Sequence, residues 1–457
     1  MKKKNEKSVK IKSKLIFLLL SILIFSLIFL PNKILFAQDS GDDSIYDEGN
    51  FDQTVQQAQK NVNQLQVLFG GTIQFSSVMN FPLQFDEYTN FWTLGGIGFL
   101  SIIYEPYAKF YISESFSQTL AAFADTNIDL SSSNLSLSNL NDSFNLMEIF
   151  FDLSINNILF LRIGKQVIHW GAANVWTPAD FINLTKYNPL ESIDSREGKN
   201  GVRIHLPIKK FNLFVFFDFY NTAPMNQNTI TNFIDATSVG IRADWTIGDF
   251  ELALSTYLTK DEYAKFGFDF SGYLLGFGIW GEAAFSGKGY TEKVVNYTTF
   301  GSNLIPIYSY TDDPVFSATI GLSKIFGDKK DYSFELDFFY NSDGYDLEET
   351  TESENIYQLA IASALSGKGS LLYIGKYYIF SRLTKSNFIN TYMSLSISFL
   401  MNLTDFTYRL SLSHSFSLPN ILPFSYSLTY VGGEEGREFT FSGTEKFSFT
   451  ISTSISF

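Results

Sequence analysis

Apolar and polar residues alternate one for one along most of this chain. In residues 211 to 220, Phe211, Leu213, Val215, Phe217 and Phe219 share one parity, and Asn212, Phe214, Phe216, Asp218 and Tyr220 the other. Residues 238 to 245 set Val239, Ile241, Ala243 and Trp245 against Gly240, Arg242 and Asp244. Phe250, Leu252, Leu254 and Leu258 stand against Glu251, Ala253, Ser255 and Tyr257, and Tyr332, Phe334, Leu336 and Phe338 against Ser333, Glu335, Asp337 and Phe339. Successive side chains of a strand point to opposite faces, so each stretch predicts a strand with one apolar face and one face that carries charge. The pattern runs from about residue 67 to the end. There Phe447, Phe449, Ile451, Ile455 and Phe457 alternate with Ser448, Thr450, Ser452, Ser454 and Ser456, and only Thr453 departs from the apolar set.

Between the strands lie two kinds of connector. Short ones such as Ile155-Asn156-Asn157-Ile158 and Thr246-Ile247-Gly248-Asp249 have the Gly, Asn and Asp content of hairpin turns. Long polar ones lie near 127 to 143, 171 to 199, 221 to 236, 287 to 313 and 342 to 355. Short turns with long loops are the two rims of a transmembrane barrel. The expected architecture is all-β, an antiparallel transmembrane barrel of about 18 strands (roughly 16 to 20) with a short N-terminal periplasmic segment. The parity stays open around 264 to 286, which is one long strand or a hairpin, and around 424 to 457.

Composition separates this from a soluble sandwich. The chain holds 48 Phe and 25 Tyr, and many of the Phe residues fall on the face opposite the charges. A ring of so many strands leaves an interior wide enough for water and charge, which turns the apolar face outward. Apolar outside and polar inside is stable in lipid, where a closed barrel also pairs every backbone group.

The first residues fit export. A lysine-rich leader precedes the apolar run from Leu15 to Leu30, Pro31 follows, and Ala37 is the expected cleavage position of a signal peptide over 1–37. Cleavage removes eight lysines and one glutamate, a net +7, and takes the formal charge from −14 to −21. Such an acidic balance argues against nucleic acid as a partner. The chain contains no cysteine, which excludes disulfides and thiolate metal sites. Residues 38–66 read as a periplasmic lead-in that can hold a short amphipathic helix through Val55, Ala58, Val62, Leu65 and Val67, and 67–457 as the barrel.

Two resemblances add to this. The final stretch resembles the C-terminal strand of bacterial outer-membrane β-barrels, which ends in an aromatic residue. That implies an assembly signal in Phe449, Ile451, Ile455 and Phe457, read by the barrel assembly machinery, with periplasmic chaperones and outer-membrane lipids as further partners. Residues 161–207 resemble a strand-loop-strand unit of the alginate-export and related porin families, in Gly164, Lys165, Gln166, Trp170, Gly171, Trp176, Pro178, Asp180, Asn188 and Pro189, with Lys165 where those families carry Arg. That resemblance implies a channel and leaves its solute open.

Read from the residues alone, 171–199 hangs at the loop rim and is long enough to enter the pore. Its candidate constriction residues are Trp170, Trp176, Pro178, Asp180, Lys186, Glu191, Asp194 and Arg196. The competing reading has the indoles in the outer aromatic girdle, pinning the loop, and Asp180 capping a turn. Candidate pore-lining residues are Arg203, His205, Asp218, Arg242, Asp244, Glu251, Asp269, Glu335 and Asp337. Six acids against two bases point to weak cation preference, or preference for neutral solutes over anions. The imidazoles are His169, His205 and His414. Ser413 and Ser415, adjacent to His414 on one strand, point to the opposite face from it, so no enzyme, cofactor or metal site is expected, and His414 is assigned to the pore wall or a rim. The function class that results is a porin-like channel for passive diffusion of small hydrophilic solutes, of unassigned oligomeric state. The alternative is a surface-exposed structural or adhesive barrel with a closed lumen.

Overall fold

The computed structural model of the chain describes residues 65–82, 89–104, 107–124, 144–182, 196–219, 237–260, 262–301, 303–348, 350–366, 373–417, 422–441 and 445–457. The signal-peptide and lead-in expectations for 1–64 lie outside them, and β1 opens at Leu65.

The strands are β1 (Leu65–Pro82), β2 (Thr89–Tyr104), β3 (Ala108–Ala124), β4 (Phe144–Ile155), β5 (Leu159–Gln166), β6 (Lys199–Ile208), β7 (Phe211–Asp218), β8 (Ser238–Ile247), β9 (Phe250–Leu258) and β10 (Lys265–Leu274). They continue as β11 (Phe277–Ser286), β12 (Lys293–Phe300), β13 (Asn303–Ser309), β14 (Val315–Phe326), β15 (Tyr332–Asn341), β16 (Tyr377–Ser386), β17 (Met393–Asn402), β18 (Tyr408–Phe416), β19 (Phe424–Gly432) and β20 (Glu445–Ser456). All except β12 and β13 pair antiparallel with their chain neighbours in one 18-stranded sheet. The sheet closes on itself where β20 pairs with β1, from Thr72↔Ser456 to Pro82↔Glu445. Phe457 continues that seam by exchanging both backbone hydrogen bonds with Gly71 at 3.0 Å.

Leu275 and Gly276 both have positive φ, 53° and 78°, which makes a two-residue turn whose twist matches the flanking strands and divides residues 264 to 286 into the hairpin β10–β11. Residues 424 to 457 likewise form two strands. Eight tight connections of two to seven residues lie on one rim together with the start of β1 and the end of β20, and the other nine, of 5 to 35 residues, lie on the opposite rim.

The long loops carry structure of their own. Residues 287–313 contain the hairpin β12–β13, and residues 342–376 contain the helix α1 (Thr351–Leu365). Thr350 caps α1 by accepting a hydrogen bond from the Ser353 amide, and Glu352 and Glu354 sit in its first turn, where acidic groups suit the helix dipole. Among the described residues no helix is long and apolar enough to cross a membrane.

Exposure distinguishes the two faces of the barrel. Leu254 (65 %), Ile320 (59 %), Trp245 (58 %) and Phe266 (53 %) stand out on the outer surface. Their strand neighbours of opposite parity, Ser255, Thr319 and Lys265, are buried inside. An apolar exterior around a polar lumen is the arrangement of a transmembrane barrel.

Candidate functional site: the loop-lined lumen

Register fixes which side chains reach the lumen, and it divides the inner wall into two halves. From β3 to β16 the inner face carries charge. Lys109, Asp152, Arg162, Arg203, Phe216, Gly240, Tyr257, Lys265, Ser286 and their parity mates follow from strand to strand without a change of face. From β17 through β20 to β1 the same face carries hydroxyls. Ser394, Ser396 and Ser398 stand beside Ser415, Ser413 and Ser411 of β18, which stand beside Ser425, Ser427 and Thr429 of β19, and these beside Ser452, Thr450 and Ser448 of β20.

The segment after β5 leaves the wall and folds into the lumen. Strand pairing stops at Gln166, because Ile168 and Trp170 turn inward and bury against Phe216 and Ile182 rather than continuing the sheet. Trp170 is 1 % exposed, and a Cβ added to Gly240 would come within 2.7 Å of its ring, so glycine at 240 is what lets the indole approach the wall. The chain then crosses β11. Glu282 Oε1 accepts the Ala173 amide at 2.7 Å and Oε2 the Ala179 amide at 3.1 Å. Gly171, at φ +115°, would drive a Cβ into the Glu282 carboxylate, so this position too requires glycine.

Farther along, Asn174 Nδ2 donates to Glu335 at 2.9 Å and Trp176 stacks on Phe339 with ring centroids 5.4 Å apart and planes 8° from parallel. Pro178 and Asp180 are buried. Asp180 meets Arg196 at 3.5 Å and His169 at 4.0 Å, joining the outgoing and returning arms of the loop. The described part of the loop therefore lies inside the barrel and is fastened to its wall. One expectation is corrected. The indoles lie inside the barrel against Phe216 and Phe339, not in an outer girdle, since the inner wall offers them aromatic partners. Lys186, Glu191 and Asp194 lie outside the described residues.

The named pore-face residues all have inward parity. Most of their charges are matched close by. Arg242 makes two hydrogen bonds to Asp269, at 2.6 and 2.9 Å, and approaches Asp244 at 2.7 Å. Asp337 accepts from Trp280 at 2.8 Å, Asp218 from Tyr257 at 2.8 Å, and Glu335 from Arg382 at 3.0 Å. His205 stacks on Phe214 at 4.2 Å and lies 3.0 Å from the Asn212 side-chain oxygen; Glu251 is exposed. Arg203 neighbours Arg162 across β5 and β6, and Arg162 pairs with Asp152 at 2.7 Å.

The charge count behind a cation preference changes once every strand is assigned. Across the described strands the inner face gains three acids, Glu148, Asp152 and Glu282, and seven bases, Lys109, Arg162, Lys199, Lys265, Arg382, Arg409 and Lys446. Six against two becomes nine against nine. Glu282 escaped sequence reading because the parity of 264 to 286 was open, although Trp280, Glu282, Ala284 and Ser286 alternate with Ile279, Ala283 and Phe285. Arg162 was legible in the same way between Leu161 and Ile163.

At the long-loop rim Trp176 of the inner loop meets two other connections. Trp176 packs with Tyr373 and Tyr378, and Phe439 covers the cluster. Behind it Glu438 accepts hydrogen bonds from Tyr378 and Asn402, both at 2.6 Å, while its own amide donates to Asp405 at 3.0 Å. Tyr357 of α1 donates to Asp405 at 2.8 Å. Loss of hydration within this network, reinforced by Asp405, raises Glu438 from the ordinary glutamate range to about 7.

Phe449, Ile451 and Ile455 take the outer face of β20 beside Met79, Ser77 and Ile73 of β1. Thr453, which interrupts the apolar set, donates its hydroxyl to the Pro423 carbonyl at 2.7 Å. Of the two positions expected for His414, pore wall or rim, it takes the one near a rim. It pairs laterally with Leu395 and Tyr426 on the outer face and is enclosed by Phe388, Phe416 and Tyr426 close to the short-turn rim.

No protein-family model matches the chain and no curated protein matches it, so the family-level resemblance of residues 161–207 to alginate exporters gains no support. Among solved structures the chain is similar to Pseudomonas aeruginosa OccK8 (OprE), at 10 % identity and TM-score 0.49 over 86 % of this chain and 98 % of that one. It is also similar to Pseudomonas aeruginosa OpdK, solved with vanillate, at 11 % identity and TM-score 0.49 over 86 % and 99 %. A third is Pseudomonas aeruginosa OccD3 (OpdP), at 10 % identity and TM-score 0.47 over 87 % and 92 %.

Proposed function

We propose that this protein is a porin-like channel of the outer membrane of a diderm bacterium, through which small hydrophilic solutes diffuse passively. The observation that carries this reading is the closed 18-stranded sheet with bulky apolar side chains outside and charged and hydroxyl side chains inside. A ring of that size leaves an aqueous lumen, whereas smaller barrels are filled by their own side chains. The loop over 167–182 narrows that lumen. Export by a cleaved signal peptide, handling by periplasmic chaperones and insertion by the barrel assembly machinery belong to the same reading. The near balance of inner-face charge supports weak ion selectivity in place of a cation preference.

One observation favours the second reading, a structural or adhesive barrel with a closed lumen: inner-loop, α1 and β19–β20 connections interlock at one rim around Trp176 and Glu438. Planar-bilayer recording of the purified, refolded chain decides between them. Stepwise conductance is the expected result, and a folded, inserted protein that passes no current overturns the channel.

A further inference from the structure

Charge and accessibility are distributed unequally around the lumen. On the charged half, Asp218, Asp269, Glu282 and Asp337 are at most 3 % exposed. Their charges are engaged by Arg242, by loop amides and by ring donors of the same wall. The hydroxyl half is different. Ser396, Ser413, Ser427 and Thr450 form one row across β17, β18, β19 and β20, and each is half-buried rather than covered.

The row is one of several. Adjacent hydroxyls in neighbouring rows pair across strands, Ser394 with Ser415 at 2.7 Å and Ser411 with Thr429 at 2.9 Å. Among the described residues the ionisable side chains on this half are Arg409 and Lys446, both next to the long-loop rim. Arg409 lies over the Phe439 ring at 5.4 Å, and Lys446 is 3.8 Å from Glu435.

We infer that the hydroxyl wall is the solute path and that it selects uncharged polyhydroxylated solutes, polyols and sugars, over ionic solutes of the same size. This rests on the channel reading above. The physical reason is reciprocity. A hydroxyl is one donor and two acceptor sites on a rotating bond, so a wall of hydroxyls exchanges hydrogen bonds with a polyol in either sense and replaces the water that the polyol leaves behind. Hydroxyls replace an ion's hydration only in part. Bringing a charge into a narrowed lumen costs hydration that a counter-charge best restores, and four acids of the opposite wall, Asp218, Asp269, Glu282 and Asp337, are buried and already engaged.

The test uses the refolded full chain in liposomes and three solutes with the same carbon skeleton: sorbitol, gluconate and N-methylglucamine. Sorbitol is expected to permeate severalfold faster than either ionic homologue. The combined variant Ser413→Ala, Ser427→Ala and Thr450→Val, checked for insertion by heat-modifiable mobility, is expected to lose most of that sorbitol flux while potassium chloride conductance stays near the wild-type value. Ionic homologues that permeate as fast as sorbitol in the wild-type channel overturn the inference, as does an inserted variant with undiminished sorbitol flux. A wild-type protein without potassium chloride conductance overturns the channel reading itself, which separates the two failures.

Discussion

Glu282 and Ala173 lie 109 positions apart in the chain and 2.7 Å apart in the lumen, where the carboxylate accepts the loop amide. The same side chain holds Ala179, so one residue on β11 anchors both ends of the turn that carries Trp176. Removing the carboxyl group leaves two loop amides without their acceptor, a cost of about 1–3 kcal/mol for each buried donor. Replacing Glu282 with Ala is expected to detach the loop and to raise single-channel conductance together with its noise, while Glu282→Gln, which keeps one acceptor oxygen, falls between. Unchanged current in an inserted Glu282→Ala protein would show that the loop is held without this latch.

Arg242 is the second fastening, since it serves Asp269 and Asp244 at once. Removing it leaves two carboxylates facing each other with no counter-charge, a loss of about 3–5 kcal/mol for a buried pair. Arg242→Met should lower the temperature at which heat-modifiable mobility is lost. Adding Asp269→Leu should recover part of the difference, because the uncompensated charge is then gone.

Glu438 makes the rim sensitive to pH. Its folded value of about 7 lies above its ordinary value of 4.5, so the folded rim binds the proton more tightly than the opened rim does. The stabilisation is fully present below pH 4.5 and is lost as pH rises through about 7. Amide exchange over residues 434–441 should accelerate across that interval beyond its intrinsic pH dependence, and Glu438→Gln should flatten the excess. Faster opening at low pH would contradict this assignment.

Phe457 closes the seam with Gly71, and Phe449, Ile451 and Ile455 line the outer face beside it. If these side chains are also the recognition face for assembly, Phe457→Asp should reduce the amount of protein inserted in the outer membrane and increase periplasmic degradation products. Wild-type levels of folded barrel by immunoblot would remove the assembly role and leave Phe457 a seam residue alone.

The strand faces were legible from the sequence because alternation is a local property. Once Phe217 and Asp218 alternate within one strand, closure into a wide ring puts the first outside and the second inside. The turns at Asn156-Asn157 and Gly248-Asp249 were legible for the same reason, as short polar steps between alternating runs. Residues 161–207 also announced a special segment through Trp170, Trp176, Pro178 and Asp180. Nothing local said where those indoles would go. Trp170 is buried because Gly240, 70 positions later, leaves room for it, and Trp176 because Phe339 and Tyr378 present ring faces at the height the loop reaches.

Charge followed the same division. The sequence by itself determined that Asp269, Glu282 and Arg242 are present and, where parity was clear, that they share a face. Only the closed sheet decided that Arg242 reaches Asp269 two strands away and that Glu282 meets backbone amides of a loop. It also decided that the serine rows of β17 to β20 stay accessible while Asp218, Asp269, Glu282 and Asp337 do not. The physical reason is that a strand's pattern sets direction but not distance. Pairings across a barrel depend on the stagger between strands and on where a long loop folds back, and both are set by contacts among residues remote in the chain.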